Sequence, residues 1–317
     1  MTAQVRMAVV GVGVMGGYHC RVIANSERAD LALVVDPAEA QGKQVAERYG
    51  AQWRPEIGAL QGIDAVVVAA PTEYHTPIVA QALEAGIPVL VEKPVSGDLT
   101  ESEALVAMSE KLQVPLMCGY VERFNPAVLT ALPMVNEPLH ITASRHSPYA
   151  NRIRTGVAWD LLIHDVDACL RFAGDEPVEV RGGMGQFHPS SEGGEDVAEA
   201  VITFSRGGVA AVSASRIGQR KIRTISIADL DKTIEIDLLR RDVTAYRHIA
   251  HDQPAQGGYR QQTIIEIPEL VTSQEPLAAQ LNHFLNIVSG GGDAERERAS
   301  ILPAHRVIAQ MLDGETS

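Results

Sequence analysis

A glycine pattern close to the start of the chain constrains the fold more than any other feature. The apolar run VRMAVV leads directly into GVGVMG, and a helix-like segment follows over 15–25. Gly11, Gly13 and Gly16 have the spacing G-x-G-x-x-G, in which the first glycine permits a tight turn and the second lets a pyrophosphate approach the backbone. The third lets the helix pack against the strand. The pattern predicts a dinucleotide-binding turn, and the alternative is a glycine-rich turn that binds nothing.

Four more apolar runs follow in the first part of the chain, LALVV, DAVVVAA, PVLVE and VPLMC, and they alternate with helix-like segments over 38–49, 77–85 and 100–112. The runs are rich in Val and lack in/out alternation, as in parallel strands that are covered on both faces. We therefore predict a doubly wound α/β sheet. Thr100 and Glu103 have the spacing of a capping box at the start of the last helix.

An acidic residue selects the cofactor. Asp36 follows LALVV, 20 residues after Gly16, where a carboxylate can bind a ribose 2′-hydroxyl. It would repel a 2′-phosphate and no Arg follows it closely, so we expect NAD rather than NADP. The predicted cofactor-binding residues of this part are Gly11, Gly13, Val14, Met15, Gly16 and Asp36.

Polar residues follow the third and fourth apolar runs, at the strand ends where ligands of such sheets bind. Pro71, Thr72 and His75 follow DAVVVAA, and we assign them to the cofactor together with Glu92, which ends PVLVE. Lys93 comes next, where its ammonium can donate to a substrate hydroxyl or stabilise a developing alkoxide. Glu92 would orient the cofactor or pair with Lys93. The alternative is an exposed ion pair that closes a strand.

These motifs together resemble a known family. GVGVMG, Asp36, PTEYH and VEKP are similar to the Gfo/Idh/MocA family of nicotinamide-dependent sugar and cyclitol oxidoreductases, over essentially the whole chain. The resemblance implies that Lys93 is catalytic. It also implies a Rossmann domain over 1–122 and an α+β domain over 123–317 with an open, mainly antiparallel sheet. Such sheets form subunit interfaces in the family, so we expect a homo-oligomer, a dimer or a tetramer.

A polar helix in the second half is the expected source of a base. The segment WDLLIHDVDACLRFAG predicts a helix that ends near Gly174. Four polar side chains are spaced to share one face: Asp160, His164, Asp167 and Arg171. The segment resembles the family's Asp-x-x-x-His catalytic helix, which implies a catalytic pair, His164 as the base and Asp160 beside it, with Asp167 in an orienting role. The alternatives are a solvated helix face and a structural histidine.

Two alternating runs predict hairpins in the second domain: AVITFSRGGVAAVSASRI and KIRTISIADLDKTIEIDL. GYVERFNPAV, with the helix above, resembles a subgroup that contains UDP-N-acetylglucosamine 3-dehydrogenases, which implies that Arg123 and Asn125 lie beside the substrate. No acidic residue occurs from Pro138 to Trp159, and basic side chains there suit a diphosphate. They are Arg145, His146, Arg152 and Arg154, of which Arg152 and Arg154 are our candidate substrate-binding residues.

The resulting expectation is a hydride transfer to NAD from a secondary hydroxyl, at C3 of a UDP-sugar such as UDP-N-acetylglucosamine. An inositol or free-sugar dehydrogenase with the same residues is the first alternative, and a non-catalytic NAD-binding regulator is the second. One departure from the family is that the glycines before the catalytic helix are reduced to Gly156 in the stretch 155–158.

Composition excludes several other classes. A formal net charge of −13 argues against nucleic-acid or anionic-membrane binding. No apolar run approaches the roughly 20 residues that span a bilayer, and the N-terminus lacks the apolar core of a signal peptide. The three cysteines are far apart and no His/Cys cluster has metal-ligand spacing, so we expect a cytoplasmic protein without a metal.

Overall fold

The chain divides into two compact units. The structure is a computed structural model that describes residues 4–149, 155–189, 194–253 and 258–314. The first unit comprises Met1–Val121 with Glu275–Arg306, and the second comprises Glu122–Gln274 with Val307–Ser317. The first division falls one residue from the predicted boundary, whereas the return of 275–306 to the first unit differs from the prediction that 123–317 forms one domain.

The first unit contains a six-stranded parallel sheet in the order β3-β2-β1-β4-β5-β6, and it confirms the predicted doubly wound architecture. Its strands are β1 (Val5–Val10), β2 (Ala29–Val35), β3 (Gln52–Arg54), β4 (Ala65–Val68), β5 (Val89–Val91) and β6 (Leu116–Cys118). Its first four helices are α1 (Val14–Ala24), α2 (Glu39–Tyr49), α3 (His75–Glu84) and α4 (Leu99–Leu112). The order reverses between β1 and β4, so the carboxyl ends of these two strands flank the point where such sheets bind ligands.

The strands other than β3 are buried along most of their length, which explains their unbroken apolar sequence. All four residues of β4 and all three of β5 are buried.

The start of α4 differs from the prediction. Asp98, not Thr100, caps the helix, because its carboxylate accepts a hydrogen bond from the Glu101 amide. The predicted Thr100–Glu103 capping box is therefore wrong by two residues.

Two late helices belong to the first unit: α7 (Pro276–Val288) and α8 (Ala294–Ala299). The apolar face of α7 is buried, α7 packs against α1, and Arg21 of α1 forms an ion pair with Glu275 at 2.5 Å. Sequence order does not reveal which sheet such a helix covers, and this is why the prediction placed it in the second domain. The second division falls inside the last helix, α9 (Leu302–Asp313).

The second unit is built on an eight-stranded sheet in the order β14-β13-β12-β11-β7-β10-β9-β8. Its strands are β7 (His140–His146), β8 (Pro177–Gly185), β9 (Val197–Phe204), β10 (Val209–Ser215), β11 (Ile222–Ala228), β12 (Thr233–Asp237), β13 (Asp242–Gln253) and β14 (Gly258–Glu266). All pairs are antiparallel except β7–β10. Both predicted hairpins, β9–β10 and β11–β12, are confirmed, as is the mainly antiparallel sheet.

One face of this sheet is buried beneath helices. α5 (Pro126–Ala131) packs against β12 and β13, and α6 (Ile163–Ala173) packs against β7 and β10. A π-helical turn, Ala158–Leu162, leads directly into α6. Alternate residues of β9 are buried, which is the pattern of a sheet with one covered face. Within the described residues, no helix combines the length and the apolar character needed to cross a membrane.

Candidate active site

The glycine-rich turn has the shape that its sequence predicts. Gly11 has φ +83°, and a Cβ there would lie 2.5 Å from the Ala70 amide nitrogen. A Cβ on Gly16 would collide with the Gly11 carbonyl oxygen, so only glycine allows α1 to start this close to β1. A Cβ on Gly13 would meet nothing within 4 Å. The fold itself does not require Gly13, and its missing side chain leaves open space where a pyrophosphate would fit.

The N-terminus of α1 is suited to bind an anion. Gly13 caps the helix without a side-chain hydrogen bond, and the first turn, which begins with Val14 and Met15, contains no acidic residue. The first amides of a helix lack partners within the helix and carry a partial positive charge, so they bind phosphate groups. This turn therefore fits the pyrophosphate of a dinucleotide.

Asp36 is fixed at the end of β2. One carboxylate oxygen accepts from the Val12 amide and the other from the Ala38 amide, both at 2.8 Å. Gln41 donates to the Val12 carbonyl oxygen at 2.6 Å, so the same loop is held from a second side. Each carboxylate oxygen keeps acceptor capacity for a ribose hydroxyl. The arrangement fits the adenosine ribose of NAD.

The residues after β4 divide into exposed and buried ones. Pro71 is exposed and Thr72 half-buried at the start of a short 3-10 turn, Thr72–Tyr74, so both remain available to a cofactor. His75 is buried, and its ring nitrogens lie 2.9 Å from the Pro94 and Ala70 carbonyl oxygens. Burial lowers the pKa of His75. Both ring nitrogens face backbone carbonyl oxygens, and a neutral ring donates to one of them. The contact between His75 and the cofactor stays a prediction.

Lys93 is half-buried just after β5, between two buried neighbours, and the Lys93–Pro94 peptide bond is cis. The Glu92 carboxylate lies 2.7 Å from His19 Nε2 of α1, so its hydrogen bond reaches the first helix. A Cβ on Gly119 would lie 2.9 Å from the second Glu92 oxygen. Glu92 is only 8% exposed. This strand end is therefore a packed polar structure and not an exposed ion pair.

The helix with the second candidate pair lies in the second unit. Asp160 is in the π-helical turn and His164 is in the first turn of α6, and both side chains are half-buried. Arg216, which is buried just after β10, donates to the Asp160 carboxylate at 2.8 Å. The sequence reasoning missed Arg216, and its only signal was its position directly after a buried strand.

The four polar residues predicted to share one helix face differ in burial and in partners. Asp167 is buried and accepts two hydrogen bonds from Arg123, at 2.9 and 2.6 Å, whereas Arg171 is exposed. Asp165, which was not predicted, is buried and accepts two hydrogen bonds from Arg145. The π-helical turn changes the angular step between Asp160 and the residues of α6, so α-helical spacing does not apply across it. The predicted end of the helix, Gly174, is confirmed by its φ of +55°.

Two predicted substrate contacts, Arg123 and Asn125, have other partners in this structure, as does Arg145 of the basic segment. Arg123 is buried on Asp167, and Arg145 is buried between Asp165 and Glu122. Asn125 is buried, caps α5 through the Ala127 amide, and donates to Glu122. The basic count in 138–159 therefore overstated the charge offered to a ligand, because a buried guanidinium is neutralised by its carboxylates. Arg152 and Arg154 lie outside the described residues.

Metal-ligating residues do not cluster in the described ranges: no group of three or more His, Cys, Asp or Glu there is arranged to hold an ion. The three cysteines are buried and none of them forms a disulfide, and burial raises the pKa of Cys20 to about 12.

Comparison with known proteins identifies both parts of the chain. The family described as "Oxidoreductase family, NAD-binding Rossmann fold" matches residues 5–120, and the "GFO/IDH/MocA C-terminal domain" matches residues 136–236. The UDP-N-acetylglucosamine 3-dehydrogenase of Acidithiobacillus ferrooxidans is 30% identical over 289 residues, which are 90% of this chain and 89% of that protein. The scyllo-inositol 2-dehydrogenase (NAD(+)) of Bacillus subtilis is 33% identical over 234 residues, 68% of each chain.

Solved structures agree with the fold. The Acidithiobacillus ferrooxidans UDP-N-acetylglucosamine 3-dehydrogenase superposes with a TM-score of 0.81 at 28% identity, covering 98% of both chains. A levoglucosan dehydrogenase in complex with NADH has a TM-score of 0.83 at 16% identity, covering 99% of this chain and 97% of that one, and so shares the fold. The glycine turn and Asp36 fit the same cofactor. The chain therefore belongs to the GFO/IDH/MocA family and is an NAD-dependent dehydrogenase.

Proposed function

We propose that this dehydrogenase oxidises a secondary hydroxyl of a sugar, at C3 of a UDP-sugar such as UDP-N-acetylglucosamine. The observation that carries this substrate class is the extent of the match to a UDP-N-acetylglucosamine 3-dehydrogenase, which includes 90% of this chain. The match to a scyllo-inositol dehydrogenase covers 68% of the chain at similar identity. That second match supports a cyclitol or free sugar as the alternative substrate.

The first unit would hold NAD along the carboxyl ends of its strands, and the geometry of the glycine turn and of Asp36 supports this. The amides of Gly13, Val14, Met15 and Gly16 would bind the pyrophosphate, and Asp36 would bind the adenosine ribose. Pro71, Thr72 and Glu92 line the strand ends on the same edge of the sheet. Bound NAD supplies the hydride acceptor, and the protein supplies position and electrostatics.

Lys93, His164 and Asp160 are the proposed catalytic residues. Lys93 would donate a hydrogen bond to the hydroxyl oxygen and stabilise negative charge there as it develops. His164 would accept the hydroxyl proton, since imidazole is the side chain whose ordinary pKa lies near neutrality. Asp160, fixed by Arg216, would orient a neighbouring hydroxyl or His164 itself.

The role of Lys93 is tested by Lys93→Ala, with Lys111→Ala, an exposed lysine in the same unit, as the matched control. We expect turnover to fall by about 10²- to 10⁴-fold, with the NAD dissociation constant little changed because the glycine turn and Asp36 are untouched. Turnover would be followed by NADH absorbance and NAD binding by calorimetry. Normal turnover in Lys93→Ala would show that the assigned role is wrong.

The substrate class is tested with UDP-N-acetylglucosamine, UDP-glucose, glucose and myo-inositol, each with NAD and with NADP. Turnover restricted to the UDP-sugars with NAD supports the proposal. Turnover of inositol or glucose alone would replace the substrate while keeping the catalytic residues. Tight NAD binding without turnover of any compound would favour a regulator.

We also propose a homo-oligomer that acts in the cytoplasm. The sheet of the second unit has one face of small and polar side chains that are only half-exposed, including Thr142, Ser144 and Ser226. Within the described residues no helix of this unit covers that face, and a second copy of the chain would do so. Light scattering coupled to gel filtration measures the oligomer directly, and a monomeric mass would contradict this part of the proposal.

A further inference from the structure

The segment Glu92–Val95, which contains Lys93, is bonded to three buried histidines from three different helices. His19 of α1 and His75 of α3 are each 1% exposed, and His305 of α9 is 0% exposed. All three belong to the first unit. Their bonds fall on residues 92, 94 and 95, that is, on both sides of Lys93.

The bond from His305 has a defined direction. The Val95 amide donates to His305 Nε2 at 3.0 Å, so this nitrogen carries no proton. The proton must then lie on Nδ1, which is 2.9 Å from the Ile301 carbonyl oxygen and 3.0 Å from the Tyr120 hydroxyl. His305 is therefore neutral, with its less usual Nδ1–H tautomer selected by three neighbours.

The other two rings hold the residues on either side of Lys93. The Nε2–H of His19 donates to the Glu92 carboxylate at 2.7 Å, a short bond to a charged acceptor. His75 Nδ1 lies 2.9 Å from the Pro94 carbonyl oxygen, while its Nε2 lies 2.9 Å from the Ala70 carbonyl oxygen, just beyond β4. A neutral imidazole has one N–H, so His75 donates to one of these two carbonyl oxygens and only contacts the other. His19 links the end of β5 to the helix of the glycine turn.

Apolar side chains at these three positions would have needed no hydrogen-bond partners. A buried imidazole loses its hydration, and a hydrogen bond of correct geometry is needed to offset that loss. His19 and His305 form such bonds with residues 92 and 95, and the His75 ring lies against the carbonyl group of residue 94. A bond to each neighbour of a side chain restricts the backbone from which that side chain extends, and catalytic groups require placement within about 0.5 Å.

We propose that His19, His75 and His305 are positioning residues that hold Glu92–Val95 and so determine where the Lys93 ammonium is presented. This inference rests on the catalytic role proposed for Lys93. None of the three rings touches the reacting atoms in this scheme, and each acts through the backbone or the side chain next to Lys93.

The first test needs no substitution. In ¹⁵N spectra of the histidine-labelled wild-type protein at neutral pH, His305 should show the Nδ1–H tautomer and His19 the Nε2–H tautomer. An Nε2–H tautomer for His305 would overturn the proposal, because that nitrogen could not accept from Val95.

The second test compares variants that remove each bond with variants that retain it. His305→Leu and His19→Leu remove the polar atom, whereas His305→Gln and His19→Gln place an amide oxygen or nitrogen near the former Nε2. We expect the Leu variants to lower kcat by about 10- to 100-fold, with NAD binding largely unchanged and kcat substantially recovered in the Gln variants. His283→Leu is the matched control, since His283 pairs with Glu297 at 3.0 Å and not with residues 92–95.

A third readout separates this inference from the proposed function. The rate at which acetic acid N-hydroxysuccinimide ester acetylates Lys93 would be measured by peptide mass spectrometry on the protein without substrate. We expect that rate to change in the Leu variants and to return towards wild type in the Gln variants. Unchanged kcat and unchanged Lys93 reactivity in a folded Leu variant would overturn the positioning role. Full turnover of Lys93→Ala would overturn the proposed function alone.

Discussion

Replacing Arg145 with Met tests whether buried ion pairs hold the helix that carries His164. Arg145 is 2% exposed and Asp165 is 1% exposed. The guanidinium donates to both Asp165 oxygens, at 2.7 and 2.9 Å, and to Glu122 at 3.1 Å. Met has similar length, so the substitution leaves little cavity and mainly leaves the two carboxylates without their buried cation.

The magnitude follows from the ways in which Asp165 can respond. Leaving it charged and buried without its partner costs about 3–5 kcal/mol of unfolding free energy. Protonating it instead costs about 4 kcal/mol at pH 7 and about 1.5 kcal/mol at pH 5, because an ordinary Asp pKa is near 3.9 and each unit is 1.36 kcal/mol. The response with the smaller free-energy cost determines how much stability is lost. We therefore expect the free energy of unfolding to fall by about 3–4 kcal/mol at pH 7 and by about half of that at pH 5.

The pKa of Asp165 determines the sign of the pH dependence. Burial raises the pKa of Asp165, and the Arg145 charge opposes part of that rise, so removing Arg145 raises this pKa further. A carboxyl whose folded pKa exceeds its unfolded pKa binds more protons in the folded state. Stability from such a group is present at low pH and is lost as pH rises towards the folded pKa. The deficit of Arg145→Met should therefore shrink on acidification.

The assay is urea unfolding followed by the fluorescence of Trp159, which is buried beside α6, in a Trp53→Phe background that removes the signal of the first unit. The control is Arg181→Met in the same unit, since the Arg181 side chain is 80% exposed and its ion pair should contribute less than about 1 kcal/mol. Adding Asp165→Asn to Arg145→Met should restore stability at pH 7. An equal deficit at both pH values would refute the reasoning.

Two further predictions concern the proposed site. Asp36→Asn should weaken NAD binding by about 10-fold or more, since a hydrogen bond to a charged group contributes about 1.5–3 kcal/mol. It should also reduce the preference for NAD over NADP. Calorimetry with both cofactors measures the two affinities, and an unchanged affinity ratio would contradict the prediction. Arg216→Met should lower kcat by about 10-fold or more because Asp160 loses its fixed position. The affinity for NAD should be unchanged, and Arg216→Lys should recover part of the kcat. Steady-state kinetics of each variant tests this prediction.

The parts of the fold that sequence could predict are those determined by neighbouring residues. The positive φ of Gly11, the Val-rich run of β4 and the left-handed end of α6 at Gly174 each follow from a few adjacent residues. The prediction of the α4 cap failed for a local reason as well. Asp98 and Glu101 have the same three-residue spacing as Thr100 and Glu103, so two capping positions were possible. The prediction selected the capping-box spacing of Thr100 and Glu103, whereas in the structure Asp98 caps the helix.

Partners of buried polar groups could not be predicted, because they come from distant parts of the chain. Arg123 and Asp167 are 44 residues apart, and Val95 and His305 are 210 apart. A basic side chain looks the same in a sequence whether it faces a ligand or a buried carboxylate. Arg145 was counted as charge for a substrate for this reason. The π-helical turn that contains Asp160 is likewise a geometry that residue spacing does not encode.

Gly156, the single glycine before the helix that carries His164, lies against the side chain of Glu195. Glu195 accepts from the Val157 amide with its backbone, at 3.1 Å, and from the Ala158 amide with its carboxylate, at 2.8 Å. A Cβ on Gly156 would collide with that carboxylate. A glycine is therefore needed here to admit Glu195, whose charge also suits the start of a helix.

This geometry predicts strong coupling between the two positions. Glu195→Ala should cost about 1 kcal/mol, as loss of a helix cap does, and Gly156→Ala alone should cost more because it expels the carboxylate and strains the turn. In the double variant the collision is absent and the alanine restricts the unfolded chain, a gain of about 0.4–1 kcal/mol. The double variant should then be at least as stable as Glu195→Ala in the Trp159 unfolding assay. Additive losses would mean that Gly156 is required by something other than Glu195.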